Sequence, residues 1–148
     1  MANTQKLMAV VNHILAAKGE MSAARLQKLV FYCQAYSLAW DGVPLFDNRI
    51  EAWIFGPVIP DLYNSHEDYT DVKLDFFKTF PAAQLSENEI DSIDAVLDGI
   101  GDRTGQWLSD LSHTEDPWID ARKGLDENVN GTNLISHESM KSYYSQVE

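Results

Sequence analysis

Apolar residues recur at helical spacing from the start of the chain. Leu7, Val10, Val11, Ile14 and Leu15 stand at i, i+3, i+4, i+7 and i+8, which predicts a helix from about Thr4 to Lys18 that ends at Gly19. Ser22 is placed to cap a second helix running to Asp41-Gly42. Its stripe of Leu26, Leu29, Val30, Cys33, Tyr36 and Trp40 is flanked by Phe31, Tyr32 and Leu38, and a helix apolar over so much of its circumference belongs at the centre of a fold. The period then changes. After Pro44-Leu45-Phe46 and the turn-forming Asp47-Asn48, Ile50, Ala52 and Ile54 alternate with Arg49, Glu51, Trp53 and Phe55. That is a strand from Arg49 to Phe55 with bulk on both faces, stopped by Gly56-Pro57. Pro60 suits the first turn of a short helix reaching about Ser65.

From His66 to Ala83 the pattern weakens to a loop with one short strand near Asp71 to Phe76. Leu85-Ser86-Glu87-Asn88-Glu89-Ile90 then specifies a helix start twice, by a capping box between Ser86 and Glu89 and by a staple between Leu85 and Ile90. A further helix from about Gly105 to His113 is expected to bury Trp107, Leu108 and Leu111. Asn128 to Asn133 reads as a loop, and a last helix starts at Ser136, with Ile135 and Met140 in staple positions ahead of Tyr143, Tyr144 and Val147. The fold class is mainly α (α+β): a compact helical bundle with a small β-hairpin or short sheet, expected as one domain over residues 1–148.

Composition adds three constraints. A chain of this size buries about 70% of its unfolded surface, enough for a real core, and 45% apolar residues set it apart from a disordered polyanion despite a net charge of -12. The single cysteine, Cys33, excludes an internal disulfide and fits a reducing cytosol; no apolar run reaches membrane-spanning length, and Met1 to Gln5 lack the basic start of a signal peptide. The charge is also uneven. Basic and acidic residues balance from Met1 to Asn64, whereas from Ser65 onward six basic residues meet eighteen acids. That field repels phosphate backbones, so direct nucleic-acid binding is not expected, and it favours encounter with basic partners; it also keeps a protein soluble.

No constellation of catalytic residues emerges. His66, His113 and His137 each follow a serine and precede an acid, but catalytic groups converge from distant segments, and neither a His-Glu-x-x-His spacing nor a glycine-rich phosphate loop is present. Neither a cofactor nor a metal is expected. The sharpest charged feature is a carboxylate stripe, Glu87, Asp91, Asp94 and Asp98, on the helix whose other side carries Ile90, Ile93, Val96, Leu97 and Ile100. No lysine or arginine is interleaved. The stripe is either a solvated face or a surface that steers a basic protein partner.

Four separated motifs occur in order: Leu26-Gln27-Lys28-Leu29-Val30-Phe31-Tyr32; Pro44-Leu45-Phe46; Ile50 to Val58 with Tyr63; and Leu111-Ser112-His113 followed by Pro117-Trp118. Together they resemble the Panacea antitoxin domain family, also called SocA-like or phage-associated GepA-like. The resemblance implies an antitoxin that neutralises a toxin encoded beside it, among them small-alarmone-synthetase toxins that stop translation. One relative delivers its toxin to a Clp-type protease, so adaptor function is the alternative, ahead of an enzyme that reverses toxin damage. Candidate partner-binding residues are Trp53, Phe55 and Tyr63, whose aromatic surface serves either a core or a binding hot spot, and Glu87, Asp91, Asp94 and Asp98. Gln27, Lys28, Leu29, Tyr32, Gly56, Pro57, His113 and Trp118 are family-motif positions expected to be structural, with Gln27 and Lys28 satisfying other polar groups and His113 with Trp118 packing a corner.

Overall fold

The computed structural model describes residues 4–147; Met1 to Asn3, part of the start that lacks the basic residues of a signal peptide, and Glu148 lie outside the described residues. The protein is mainly α-helical with two small antiparallel sheets. Helix α1 (Gln5–Lys18) buries Leu7, Val10, Val11, Ile14 and Leu15, and ends at Gly19. Helix α2 (Ala23–Asp41) is the axis of the fold. Ser22 Oγ accepts its Arg25 N–H at 3.1 Å, and Gly42, at φ 76°, closes it by donating to Leu38 O. Leu26, Leu29, Val30, Phe31 and Cys33 are fully buried, each apolar side chain stabilising the fold by roughly 1.5–3 kcal/mol. Trp40 departs from the expected stripe. It is 50% exposed and leans on Tyr36, because the last turn of α2, from Ala39 to Asp41, runs past the fully buried core.

The strand expected over 49–55 is shorter and is one arm of a hairpin. Strand β2 (Glu51–Trp53) pairs with β3 (Gly56–Val58), so Gly56 and Pro57 do not stop the ladder but begin its return arm, with Pro57 opposite Ala52. Gly56 makes the sharp return possible at φ 117°. Residues 133–135 flank the other edge of β2, where Ala52 N–H donates to Asn133 O and Ile135 N–H to Ile50 O, both at 2.9 Å.

Helix α3 (Pro60–His66) follows, with proline in its first turn. Strand β1 (Met21–Ser22) pairs with β4 (Asp71–Val72), the short strand expected in the weak segment. A four-residue helix, α4 (Leu74–Phe77), was not expected; it seats Phe77 in the core. Helix α5 (Glu87–Ile100) starts with the full capping box, Glu89 N–H donating to Ser86 Oγ and Ser86 N–H to Glu89 Oε1.

Helix α6 (Gly105–Ser112), capped by Thr104, buries Leu108 and half-buries Leu111, but Trp107 faces outward beneath the Arg103 guanidinium, 4.5 Å from the ring centre. A short α7 (Asp116–Ala121) and α8 (His137–Tyr144), capped by Ser136, complete the chain. Helices α5, α6 and α8 all pack on α2. Pairs Lys6–Glu89, His13–Asp94 and Lys18–Asp102 fall in the same order along α1 and the α5 region, so these helices run parallel.

Candidate functional site

Trp53, Phe55 and Tyr63 come together. They line one hollow of about 540 Å³ with Tyr69, Gln27, Lys28, His66 and the first turn of α2 at Ser22 to Ala24. Trp53 and Tyr63 meet edge to face at 5.0 Å, and the Trp53 indole N–H donates to Glu51 Oε1 at 2.9 Å. Glu51 is itself buried and takes a second bond from Arg49 Nε. These contacts hold the inner aromatics still. Phe55 at the hairpin tip is instead 76% exposed and Tyr69 is 56% exposed, so the rim of the hollow is aromatic and open to solvent.

Gln27 ties α2 to the chain leaving the hairpin. Its Oε1 accepts from Ile59 N–H at 2.8 Å, which leaves the amide nitrogen to donate to Ile59 O and to His66 Nε2 at 3.0 Å. His66 Nε2 is therefore an acceptor and the ring is neutral, its proton on Nδ1. Burial pushes the imidazole below its ordinary range, and the Lys28 ammonium adds to this. Gln34, seven residues after Gln27 on the same face of α2, repeats the device by accepting from Leu45 N–H and donating to Phe46 O. The motif Pro44-Leu45-Phe46 is thus fastened to α2 by one side chain.

Lys28 behaves differently from its neighbour. It is 4% exposed, yet it makes no hydrogen bond or ion pair among the described residues, and burial alone lowers it to about 8. Its stem crosses Gly56 so closely that a Cβ there would stand 2.7 Å from Lys28 Cε and 2.8 Å from Ser112 Oγ. Glycine at 56 is required by φ, and a side chain there would also displace the ends of Lys28 and Ser112.

The hairpin tip is held from the far side by its backbone. Four consecutive carbonyl oxygens each accept a side-chain bond: Ala52 from Arg122 Nη1 at 3.0 Å, Trp53 from the Trp118 indole at 2.8 Å, Ile54 from His113 Nε2 at 2.7 Å and Phe55 from Ser109 Oγ at 2.6 Å. His113 and Trp118 also meet ring to ring at 4.1 Å. Below them Glu115, 5% exposed, accepts at one oxygen from Tyr32 (2.5 Å) and Tyr144 (2.8 Å). Burial pushes the carboxyl up, and the two hydroxyls oppose this without cancelling it. Glu115, Gln34, Ser109 and Arg122 were not singled out in the sequence. The i, i+7 repeat of glutamine on an otherwise apolar helix was the one available signal.

Residues 26–119 match the antitoxin SocA-like Panacea domain. The chain belongs to this family. No curated protein and no solved structure matches it. The Panacea match runs from within α2 to within α7; it contains the hairpin, the hollow apart from Ser22 to Ala24 and Asn130, and every side chain of the backbone clamp except Arg122.

The acidic stripe of this Panacea domain lies apart, and none of its residues lines the hollow. Glu87, Asp91, Asp94 and Asp98 are all exposed. The sequence left the row without a partner, but Asp94 has a hydrogen-bonding one from another helix, His13 Nε2 at 2.7 Å. Glu87, Asp91 and Asp98 have no ion pair among the described residues. Within the same set no three His, Cys, Asp or Glu groups gather as a metal site, and no helix is long and apolar enough to cross a membrane.

Proposed function

We propose that this Panacea-domain protein is the antitoxin of a toxin–antitoxin pair, acting in the cytosol, and that it neutralises a translation-inhibiting toxin by binding it directly rather than by catalysis. Family membership carries the reading. The geometry that supports it is the open aromatic rim: Phe55 and Tyr69 stand in solvent on a base fixed by Glu51, Gln27 and the carbonyl clamp. Large aromatics on a rigid support lose little entropy on binding and are the usual anchors of protein interfaces.

The test is co-expression with the product of the adjacent reading frame. Restored growth together with a stable stoichiometric complex is expected. Toxin loss that depends on a Clp-type protease would turn the reading to an adaptor, and rescue at substoichiometric amounts would turn it to an enzyme. Growth arrest with both proteins verified overturns the antitoxin reading.

A further inference from the structure

Two independent features of positive polarity converge on the hollow. One is the N-terminus of α2, a helix of 19 residues whose first-turn residues Ala23 and Ala24 form part of the wall. The other is Lys28, one turn further along, whose stem is buried and whose ammonium is unpaired among the described residues while keeping contact with solvent. An unpaired ammonium at the end of a buried stem is costly, and the commonest relief is an opposite charge from elsewhere. Among the described residues none is supplied. Glu67 lies at the edge of the hollow but forms no ion pair with Lys28, and His66 is neutral, engaged with Gln27.

We propose that the hollow captures a segment of a partner protein in which a carboxylate, of an acidic side chain or a chain terminus, stands beside an aromatic or large apolar side chain. The carboxylate pairs with the Lys28 ammonium under the α2 N-terminus, and the apolar group fills the space between Trp53, Tyr63 and Tyr69. One cation matches one carboxylate. A polyphosphate or nucleic-acid strand would bring several negative charges to a site with one ammonium, against Glu67 at the rim and a chain of net charge -12. The exposed rings of Phe55 and Tyr69 extend the apolar surface beyond the hollow, which suits a peptide segment better than a free small acid.

This rests on the aromatic rim being the partner-facing surface, and the experiment separates the two. N-acetylphenylalanine and its uncharged amide are titrated into the full ¹⁵N-labelled protein at neutral pH, with inorganic phosphate run beside them. The acid is expected to shift amides of the hollow, among them Ala24, Tyr69 and Thr70, and the amide to bind about tenfold more weakly or less, as for loss of one charge-assisted bond. In Lys28→Met the acid should fall to the amide's level with the fold retained on melting. Equal binding of acid and amide, no shift at the hollow, stronger effects from phosphate, or unchanged acid binding in Lys28→Met overturns the proposal. A second measurement uses the toxin complex with Phe55→Ala and Lys28→Met. Loss of affinity in both is expected. Loss in Phe55→Ala alone leaves the partner surface standing and overturns the carboxylate contact; full affinity in both overturns the two together.

Discussion

Replacing Lys28 by methionine should stabilise the protein. The ammonium is depressed from 10.5 to about 8 by burial with nothing opposing it, so its charged form is disfavoured in the folded state. A folded-state value below the unfolded one means no penalty above pH 10.5, a growing one as pH falls towards 8, and the whole of it at neutral pH. At about 1.4 kcal/mol per unit this is on the order of 3 kcal/mol. Methionine keeps the stem that packs on Gly56 and removes the charge. Allowing for sulfur in place of Cδ and for the space left where the nitrogen stood, a gain of roughly 1–3 kcal/mol is expected, a rise in Tm of several degrees for a chain of this length. The assay is urea and thermal unfolding of parent and variant at pH 7 and across pH 8 to 10.5. The gap should close as pH rises, since the parent alone sheds its penalty. A variant less stable at pH 7, or a gap indifferent to pH, would refute the claim that an unpaired charge sits there.

Leu29, fully buried on α2, should cost about 2–5 kcal/mol when cut to alanine, read by chemical denaturation; a variant that melts like the parent would contradict the packing. Glu115→Gln keeps an acceptor for the Tyr32 and Tyr144 hydroxyls while removing the charge. Because the Glu115 carboxyl is raised in the fold, its charge weighs on stability as pH rises above the ordinary carboxylate range, so the variant should gain at pH 7 and lose that gain below about pH 4.5. A gain that persists in acid would locate the effect elsewhere. Changing Glu87, Asp91, Asp94 and Asp98 to their amides should leave the fold intact and, if the stripe steers a basic toxin, slow association and flatten its salt dependence, followed by stopped flow; an unchanged rate and slope make the stripe a solvated face.

The helices were legible where two local signals agreed. Ser22 and Gly42 bracket α2, and Ser86 with Glu89 starts α5, because caps act within one turn and leave their mark in adjacent residues. What depends on distant neighbours was not. Trp40 and Trp107 continue helical periodicities beyond the reach of the core, covered only in part by Tyr36 and Arg103, and β1 finds β4 about fifty residues away. Helix α7 is too short for a period to register. In the site, Trp53, Phe55 and Tyr63 stood out as aromatic bulk on a short strand. Lys28 read as a strut beside Gln27, although only Gln27 makes bonds; residue type and spacing are the same for a lysine that has found an acid and for one that has not.

The carbonyl clamp has a bearing on how such a domain changes over time. Arg122, Trp118, His113 and Ser109 grip main-chain oxygens, which every amino acid possesses. Side chains at Ile54 and Phe55 can therefore be exchanged without loosening the loop that displays them. The hairpin tip resembles a tool holder more than a tool: what stands at its end is exchangeable while the scaffold beneath stays as it is.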